Sequence, residues 1–99
     1  MAEKLIYSYE TIFIIDASLE EDSIKALTEK FTALISKNGT LESVDEWGKR
    51  RLAYEIDDKT EGYYVLANFK ADGDFPKELD RQFRLTDGIL STILIRKED

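Results

Sequence analysis

The chain has 99 residues, of which 42% are hydrophobic and 35% are charged, with one proline and five glycines. That composition excludes a wholly disordered chain, and the length predicts one domain, residues 1–99, that can bury a core of its own. The formal net charge of −7 excludes a surface that grips nucleic acid over its whole extent, although it leaves room for a local basic patch.

Several classes of chemistry are missing from the sequence. Cysteine and histidine are both absent, so there is no disulfide, no thiolate nucleophile and no imidazole base or metal ligand. The sequence has no phosphate-binding glycine loop, and its acidic clusters fit a helix's first turn, a hairpin turn and an N-cap. The first residues do not have the pattern of a secretion signal, and no apolar run is long enough to span a membrane. We therefore predict a cytoplasmic protein that is not an enzyme and has no cofactor, metal or small-molecule substrate.

The first predicted elements are a strand and a helix. Tyr7–Asp16 is rich in aromatic and β-branched residues, which favours a strand. Ser18 and Glu21 have the spacing of a capping box, and Asn38-Gly39 predicts a helix end with the glycine in the left-handed conformation. Between these ends, apolar residues recur at helical spacing: Ile24, Leu27, Phe31, Leu34 and Ile35.

A hairpin is predicted next. Thr40–Ile56 has the apolar pattern of a long strand, and Gly48 in its middle is typical of a bulge. Asp57–Gly62 has turn-forming composition, and Tyr63–Lys70 predicts the returning strand.

The last predicted elements are a short helix and a fourth strand. Asp74 fits an N-cap and Pro76 fits the first turn of the helix, which Leu79, Phe83 and Leu85 would line. Ile89–Lys97 predicts the final strand. The resulting order, βαββαβ, predicts an α+β, ferredoxin-like fold: a four-stranded antiparallel sheet with both helices on one face.

The strands are apolar on both faces, which two helices cannot cover. If the helices cover Phe13, Val65, Phe69 and Leu94, six further apolar residues lie on the open face: Ile12, Ile14, Tyr64, Leu66, Ile93 and Ile95. Contiguous exposed apolar surface indicates a partner-binding site. The alternative is that these are scattered surface residues of the kind that every protein has.

Three consecutive cations stand between aromatic residues in the second strand. Lys49, Arg50 and Arg51 follow Trp47 and precede Tyr54. Guanidinium groups can contact phosphates while rings stack on splayed bases, so these five residues are a candidate RNA-binding site. The alternative is a solvated edge strand whose charges discourage pairing with another sheet.

Four strings in the sequence resemble the bacterial small-ribosomal-subunit protein S6 family. They are Tyr9-Glu10, "WGKRRLAYEI", "EGYYVLANF" and the final "TDGILSTILIRKED". The strings stand in the same order as in the family, and the resemblance extends over nearly the whole chain. The resemblance implies a non-enzymatic ribosomal protein that pairs with the small basic protein S18 and binds the central domain of 16S ribosomal RNA. It also implies that the basic stretch faces RNA or the partner and that the open face contacts protein. Where this chain has Leu90-Ser91, members of the family tend to carry an arginine.

A second function from a different class fits the same residues. A ferredoxin-like regulatory domain could self-associate through the open face and bind no RNA. Sedimentation with small ribosomal subunits indicates the ribosomal function, and elution as an isolated homodimer indicates the regulatory one.

Overall fold

The computed structural model describes residues 5–56 and 58–97. In chain order the elements are β1 (Ile6–Asp16), α1 (Glu21–Asn38), β2 (Gly39–Ile56), β3 (Lys59–Asp72), α2 (Phe75–Leu85) and β4 (Ile89–Arg96). The four strands form one antiparallel sheet in the order β2-β3-β1-β4. The predicted ferredoxin-like fold is confirmed. Within the described residues, no helix is both long and apolar enough to cross a membrane.

The core lies between the two helices and one face of the sheet. Phe13 of β1 contacts Phe31 of α1 and Phe83 of α2, with ring centroids 5.6 and 5.2 Å apart. The two helix rings stack on each other at 4.3 Å. Phe13, Phe31, Val65 and Phe69 are fully buried. The predicted helix-covered side of β1 and β3 is therefore confirmed, since large buried rings dominate such a core.

The predicted ends of α1 are wrong in detail. The helix begins at Glu21 with Glu20 at the N-cap, so Ser18 lies before the capping position. Its hydroxyl and its N–H both donate to Oδ1 of Asp16, at 2.7 and 2.9 Å, and these hydrogen bonds are strengthened by the charge of the carboxylate. Gly39 is extended rather than left-handed, with φ −168°, because the chain runs directly into β2. A Cβ there would collide with the carbonyl oxygen of Lys70, so the glycine permits a close approach.

The hairpin between β2 and β3 is longer than predicted. β3 begins at Lys59, not at Tyr63, because residues with turn-forming composition pair instead with the end of β2. Asp58 has a φ of 64°, and the predicted turn residue Asp57 lies outside the described residues. β1 ends opposite Gly62, so beyond that row the hairpin has only two strands. We call residues 51–56 and 58–61 the hairpin arm.

The second helix begins where the sequence predicts. Asp74 is at the N-cap position, but the carboxylate that accepts the N–H groups of Asp74 and Phe75 belongs to Asp72, at 2.8 and 3.0 Å. Phe83 is buried, whereas Leu85 is 66% exposed, so its predicted place on the core side is wrong. Two residues turn a helix by about 200°, which directs Leu85 away from Phe83 and the sheet. β4 starts at Ile89 as predicted and ends one residue early, at Arg96.

Candidate nucleic-acid and partner interfaces

The six predicted partner-binding residues share the sheet face that no helix covers. In the antiparallel register, Ile12 lies between Leu66 of β3 and Ile93 of β4. Ile14 is opposite Tyr64, and Ile95 follows Ile93 on the same side of β4. Ile93 and Ile95 are 51% and 52% exposed. The strands therefore bring these residues together on one face.

Ile14 differs from the others in its burial. It is only 9% exposed, so the expectation that it forms part of an exposed surface is wrong. The reason is Gly62 of β3: a Cβ on that residue would contact Ile14 Cγ2 and would lie 3.2 Å from Leu52 Cδ2. Ile14 and Leu52 therefore pack together over the glycine. We call the remaining five residues the apolar patch: Ile12, Tyr64, Leu66, Ile93 and Ile95.

A bulge in β2 divides the predicted RNA-binding residues between the two faces of the sheet. The register shifts between Glu46 and Gly48, and Gly48 has a φ of 82°. After the shift, Lys49 pairs with Tyr63 and Arg51 with Glu61, while Arg50 pairs with Gly62. In a regular strand Trp47, Lys49 and Arg51 would share a face. The extra residue instead leaves Trp47 and Arg50 on the open face and puts Lys49 and Arg51 on the helix side.

Trp47, Arg50 and Tyr64 form a group on the open face, although the sequence predicts Tyr64 among the partner-binding residues and the other two among the RNA-binding residues. The Trp47 and Tyr64 rings stack at 6.2 Å with 15° between their planes, and Arg50 lines the same shallow depression of about 460 Å³. The indole N–H donates to Oδ2 of Asp45 at 3.1 Å. We call Trp47, Arg50 and Tyr64 the aromatic corner. Tyr64 also belongs to the apolar patch, so the two surfaces are continuous, and the glycine inside the strand pattern was the signal that could have indicated it.

On the helix side, Lys49 borders a cleft between α1 and β2 together with Glu21, Lys25 and Glu46. The Tyr63 hydroxyl in this cleft donates to Oε1 of Glu46 at 3.2 Å. Burial raises the pKa of Tyr63, and the neighbouring Glu46 carboxylate raises it further. Tyr63 therefore stays neutral and serves as a hydrogen-bond donor that fixes Glu46.

The three cations of the basic stretch are exposed, and none has a carboxylate within 4.0 Å among residues 5–56 and 58–97. Arg51 lies at the base of the hairpin arm beside Thr60 and Glu61. Tyr54 is 73% exposed further along the arm, seven residues beyond Trp47. The structure thus brings Trp47 and Arg50 together on the open face, puts Lys49 and Arg51 on the helix side and places Tyr54 further along the hairpin arm.

A polar cluster joins the hairpin arm to the end of β1. Lys59 Nζ lies 3.5 Å from Oδ2 of Asp16 and donates to the Ser18 hydroxyl at 3.2 Å. The hydrogen bond from the Ser18 hydroxyl is the main cause that lowers the pKa of Asp16, and Lys59 adds to it. Asp16 is therefore a structural carboxylate. Within the described chain, no group of three or more acidic residues is arranged to hold a metal ion.

Comparison with known proteins shows similarity over almost the whole chain. The family model described as Ribosomal protein S6 matches residues 8–96. A small ribosomal subunit protein bS6 of Clostridium perfringens is 55% identical over 91 residues, which is 91% of this chain and 96% of the relative. The corresponding protein of Clostridium novyi is 50% identical over 92 residues, with 92% and 97% covered.

Solved structures show the same similarity in three dimensions. The 30S ribosomal protein S6 of Thermotoga maritima superposes with a TM-score of 0.88 at 30% identity, over 94% of this chain and 89% of that one. The C-terminal domain of the MgtC protein of Mycobacterium tuberculosis superposes with a TM-score of 0.56 at 17% identity, over 99% and 95%. At that identity the second likeness shows the fold alone.

Proposed function

Because the chain belongs to the ribosomal protein S6 family, we propose that it binds the central domain of 16S ribosomal RNA as a heterodimer with protein S18. Members of this family are structural, non-enzymatic components of the small ribosomal subunit, so the chain is a component of the cytoplasmic ribosome. The resemblance in the sequence is thereby confirmed. The RNA region and the partner are the content of the proposal.

The observation that carries the proposal is the position of the basic stretch beside exposed apolar surface. Lys49, Arg50 and Arg51 lie on an edge strand without ion-pair partners among the described residues, so their charge is available to phosphates. The aromatic corner and the apolar patch continue across the open face from Arg50. Such a face, rich in aromatic and aliphatic side chains, has the composition of a protein interface core.

Charge supports a basic partner. A chain with a net charge of −7 is repelled by RNA at long range, and three cations compensate only part of that repulsion. A basic protein on the open face would offset the negative charge of this chain in the assembled pair. Asp45 and Glu10 lie on that face beside apolar residues and would attract such a partner.

The proposal is tested with three purified components: this chain, the S18 protein of the same organism and a central-domain fragment of 16S rRNA. We expect a one-to-one protein complex in sedimentation and RNA binding by the pair that neither protein alone matches. The proposal would be contradicted if the chain forms a homodimer and binds neither S18 nor the RNA. That result would indicate the self-associating regulatory domain instead.

A further inference from the structure

The two edges of the sheet are built differently. β2 is one edge strand, and it carries charged side chains along most of its length and has three register shifts against β3. Charges and bulges of this kind prevent another strand from adding to an edge. β4 is the other edge strand, and its residues Ile89–Ile95 contain no charge and no proline. Its register is interrupted only near its start, beside Ile14 and Ile15.

The hydrogen-bonding direction of β4 follows from one contact. The N–H of Lys97 donates to the carbonyl oxygen of Ser8 at 2.8 Å, and the register places Ile95 opposite Glu10 and Ile93 opposite Ile12. In an antiparallel pair the residues whose amides face the neighbour alternate along the strand. The amides of Ile93 and Ile95 therefore face β1, and those of Thr92, Leu94 and Arg96 face away from the sheet.

The outward groups have no backbone partner among the described residues, because β4 ends the strand order. The side chains beside this edge on the open face are Ile93 and Ile95, each about half exposed. An uncharged edge bordered by apolar side chains favours the addition of an extended segment, which gains backbone hydrogen bonds and apolar contacts together.

We propose that the free edge of β4 pairs with an extended segment of a basic protein partner, which becomes a fifth strand of the sheet. The inference rests on the proposed function in so far as the partner is the protein that covers the open face. A second copy of this chain is the less favourable occupant, because each copy carries a net charge of −7. Every second residue of the added segment would lie beside Ile93 and Ile95, so we expect apolar side chains there.

Amide hydrogen exchange measured by NMR tests the inference, in the free chain and in its complex with the S18 protein of the same organism. In the free chain we expect fast exchange at Thr92, Leu94 and Arg96 and slow exchange at Ile93 and Ile95. In the complex we expect the three outward amides to slow by tenfold or more, while the two inward amides are protected in both states. The inward amides are the internal control.

Each other outcome of this experiment overturns a different statement. If S18 binds and the outward amides exchange as in the free chain, the edge is not used, and the proposed heterodimer stands. If S18 does not bind at all, the proposed function fails, and this inference fails with it. If the outward amides are protected in the free chain at dimer mass, a second copy occupies the edge and the stated partner is wrong.

A proline at Thr92 tests the edge by substitution. Thr92→Pro removes an outward N–H and no hydrogen bond to β1, and edge strands accept proline at such positions. We expect the affinity for S18 to fall by about tenfold, the upper range for one lost hydrogen bond. Thr92→Val keeps the N–H and should bind like the wild type. Equal affinity of the folded proline variant and the valine variant would overturn the inference, and the exchange data decide if the proline variant does not fold.

Discussion

Gly62 occupies a position in β3 where no other residue fits without movement. A Cβ there would contact Ile14 Cγ2 and would lie 3.2 Å from Leu52 Cδ2. The absent side chain lets these two apolar groups pack on the open face and bury each other. Three residues that are far apart in the sequence, Ile14, Leu52 and Gly62, therefore pack together beside the apolar patch.

We expect Gly62→Ala to lower the free energy of unfolding by about 1–3 kcal/mol, because it overpacks this contact. Urea denaturation measures the change. Gly73→Ala is the matched control: its Cβ would lie 3.5 Å from the Tyr7 ring, an ordinary contact, so it should change stability little. In a double-mutant cycle, the double variant Gly62→Ala/Ile14→Ala should lose less free energy of unfolding than the two single variants lose in sum. Simple additivity would contradict the proposed clash.

Ile93 tests whether the apolar patch binds protein. It is 51% exposed, so Ile93→Glu should leave the melting temperature within a few degrees of the wild type. It should weaken association with S18 by about tenfold or more, because a charge at the centre of an interface must be desolvated. Isothermal titration calorimetry gives the affinity. Leu85→Glu makes the same kind of change at an exposed residue of α2, away from the patch, and should bind normally. Equal affinities of the two variants would remove the patch from the interface.

At the scale of the elements, the local sequence pattern predicted the order of strands and helices, but it did not predict the side-chain contacts between them. The order of strands and helices follows from periodicity and from turn residues, which act within a few positions of each other. The burial of Ile14 and the grouping of Trp47 with Tyr64 depend on which residues of neighbouring strands are paired, and the bulges in β2 change that pairing. Gly48 indicated a bulge, but only the pairing with β3 shows that the bulge transfers Lys49 and Arg51 to the helix side.

The connection between β1 and α1 shows the same limit. Ser18 and Glu21 have the spacing of a capping box, yet the Ser18 hydroxyl donates to Asp16. The Ser18 hydroxyl could accept a hydrogen bond at the start of α1 or donate one to Asp16. In the structure Lys59 of the hairpin arm contacts both Ser18 and Asp16, which stabilises the second arrangement. The Ser18 hydroxyl thus also accepts a hydrogen bond from a residue that is distant in the sequence, which no local pattern indicates.

This cluster makes stability depend on pH. Because the folded-state pKa of Asp16 is lowered, its contribution is present above the ordinary value of about 3.9 and is lost as the pH falls through the lowered pKa. Ser18→Ala removes the main cause of the shift. We expect its Asp16 pKa to move up towards the ordinary value and its unfolding free energy to fall less than the wild type's as the pH falls below about 4.

Carbon-13 NMR of the Asp16 carboxyl gives the pKa, and urea denaturation at several pH values gives the stability. Ser36→Ala, an exposed position on α1, is the control and should titrate like the wild type. An unchanged Asp16 pKa in Ser18→Ala would show that the hydroxyl is not the main cause and that the Ser18 backbone N–H and Lys59 together keep the pKa low.

At the scale of the whole molecule, the apolar surface and part of the basic stretch lie on opposite sides of one edge strand, as the proposal of two kinds of partner requires. The open face combines apolar residues with the aromatic corner, whereas Lys49 and Arg51 lie on the other side of the same edge strand. The bulge at Gly48 is what separates them. A protein partner on the open face would therefore leave Lys49 and Arg51 free for phosphates.

We expect substitutions in the basic stretch to have two distinct effects on the assembled pair of this chain and S18. If Lys49 and Arg51 each neutralise one phosphate, Lys49→Gln and Arg51→Gln each reduce the slope of log K against log salt by up to about 0.9, and by about 0.7 on single-stranded RNA. Arg50 shares the open face with Trp47 and Tyr64, so Arg50→Gln should weaken the protein pair and leave the slope unchanged. RNA binding titrated over a series of salt concentrations separates the two effects.

The triple variant measures the largest change in the salt dependence of RNA binding that the basic stretch can cause. Replacing Lys49, Arg50 and Arg51 together can change the slope by at most about 2.7, and by less if Arg50 serves the protein partner. Folding should hardly change, since exposed cations without ion-pair partners contribute little to stability. Lys37→Gln, which removes a cation from the exposed side of α1, controls for the change in net charge. If the triple variant keeps both the affinity and the slope of the wild type, the cations serve only to protect the β2 edge from pairing, and the RNA contact must lie elsewhere on the chain.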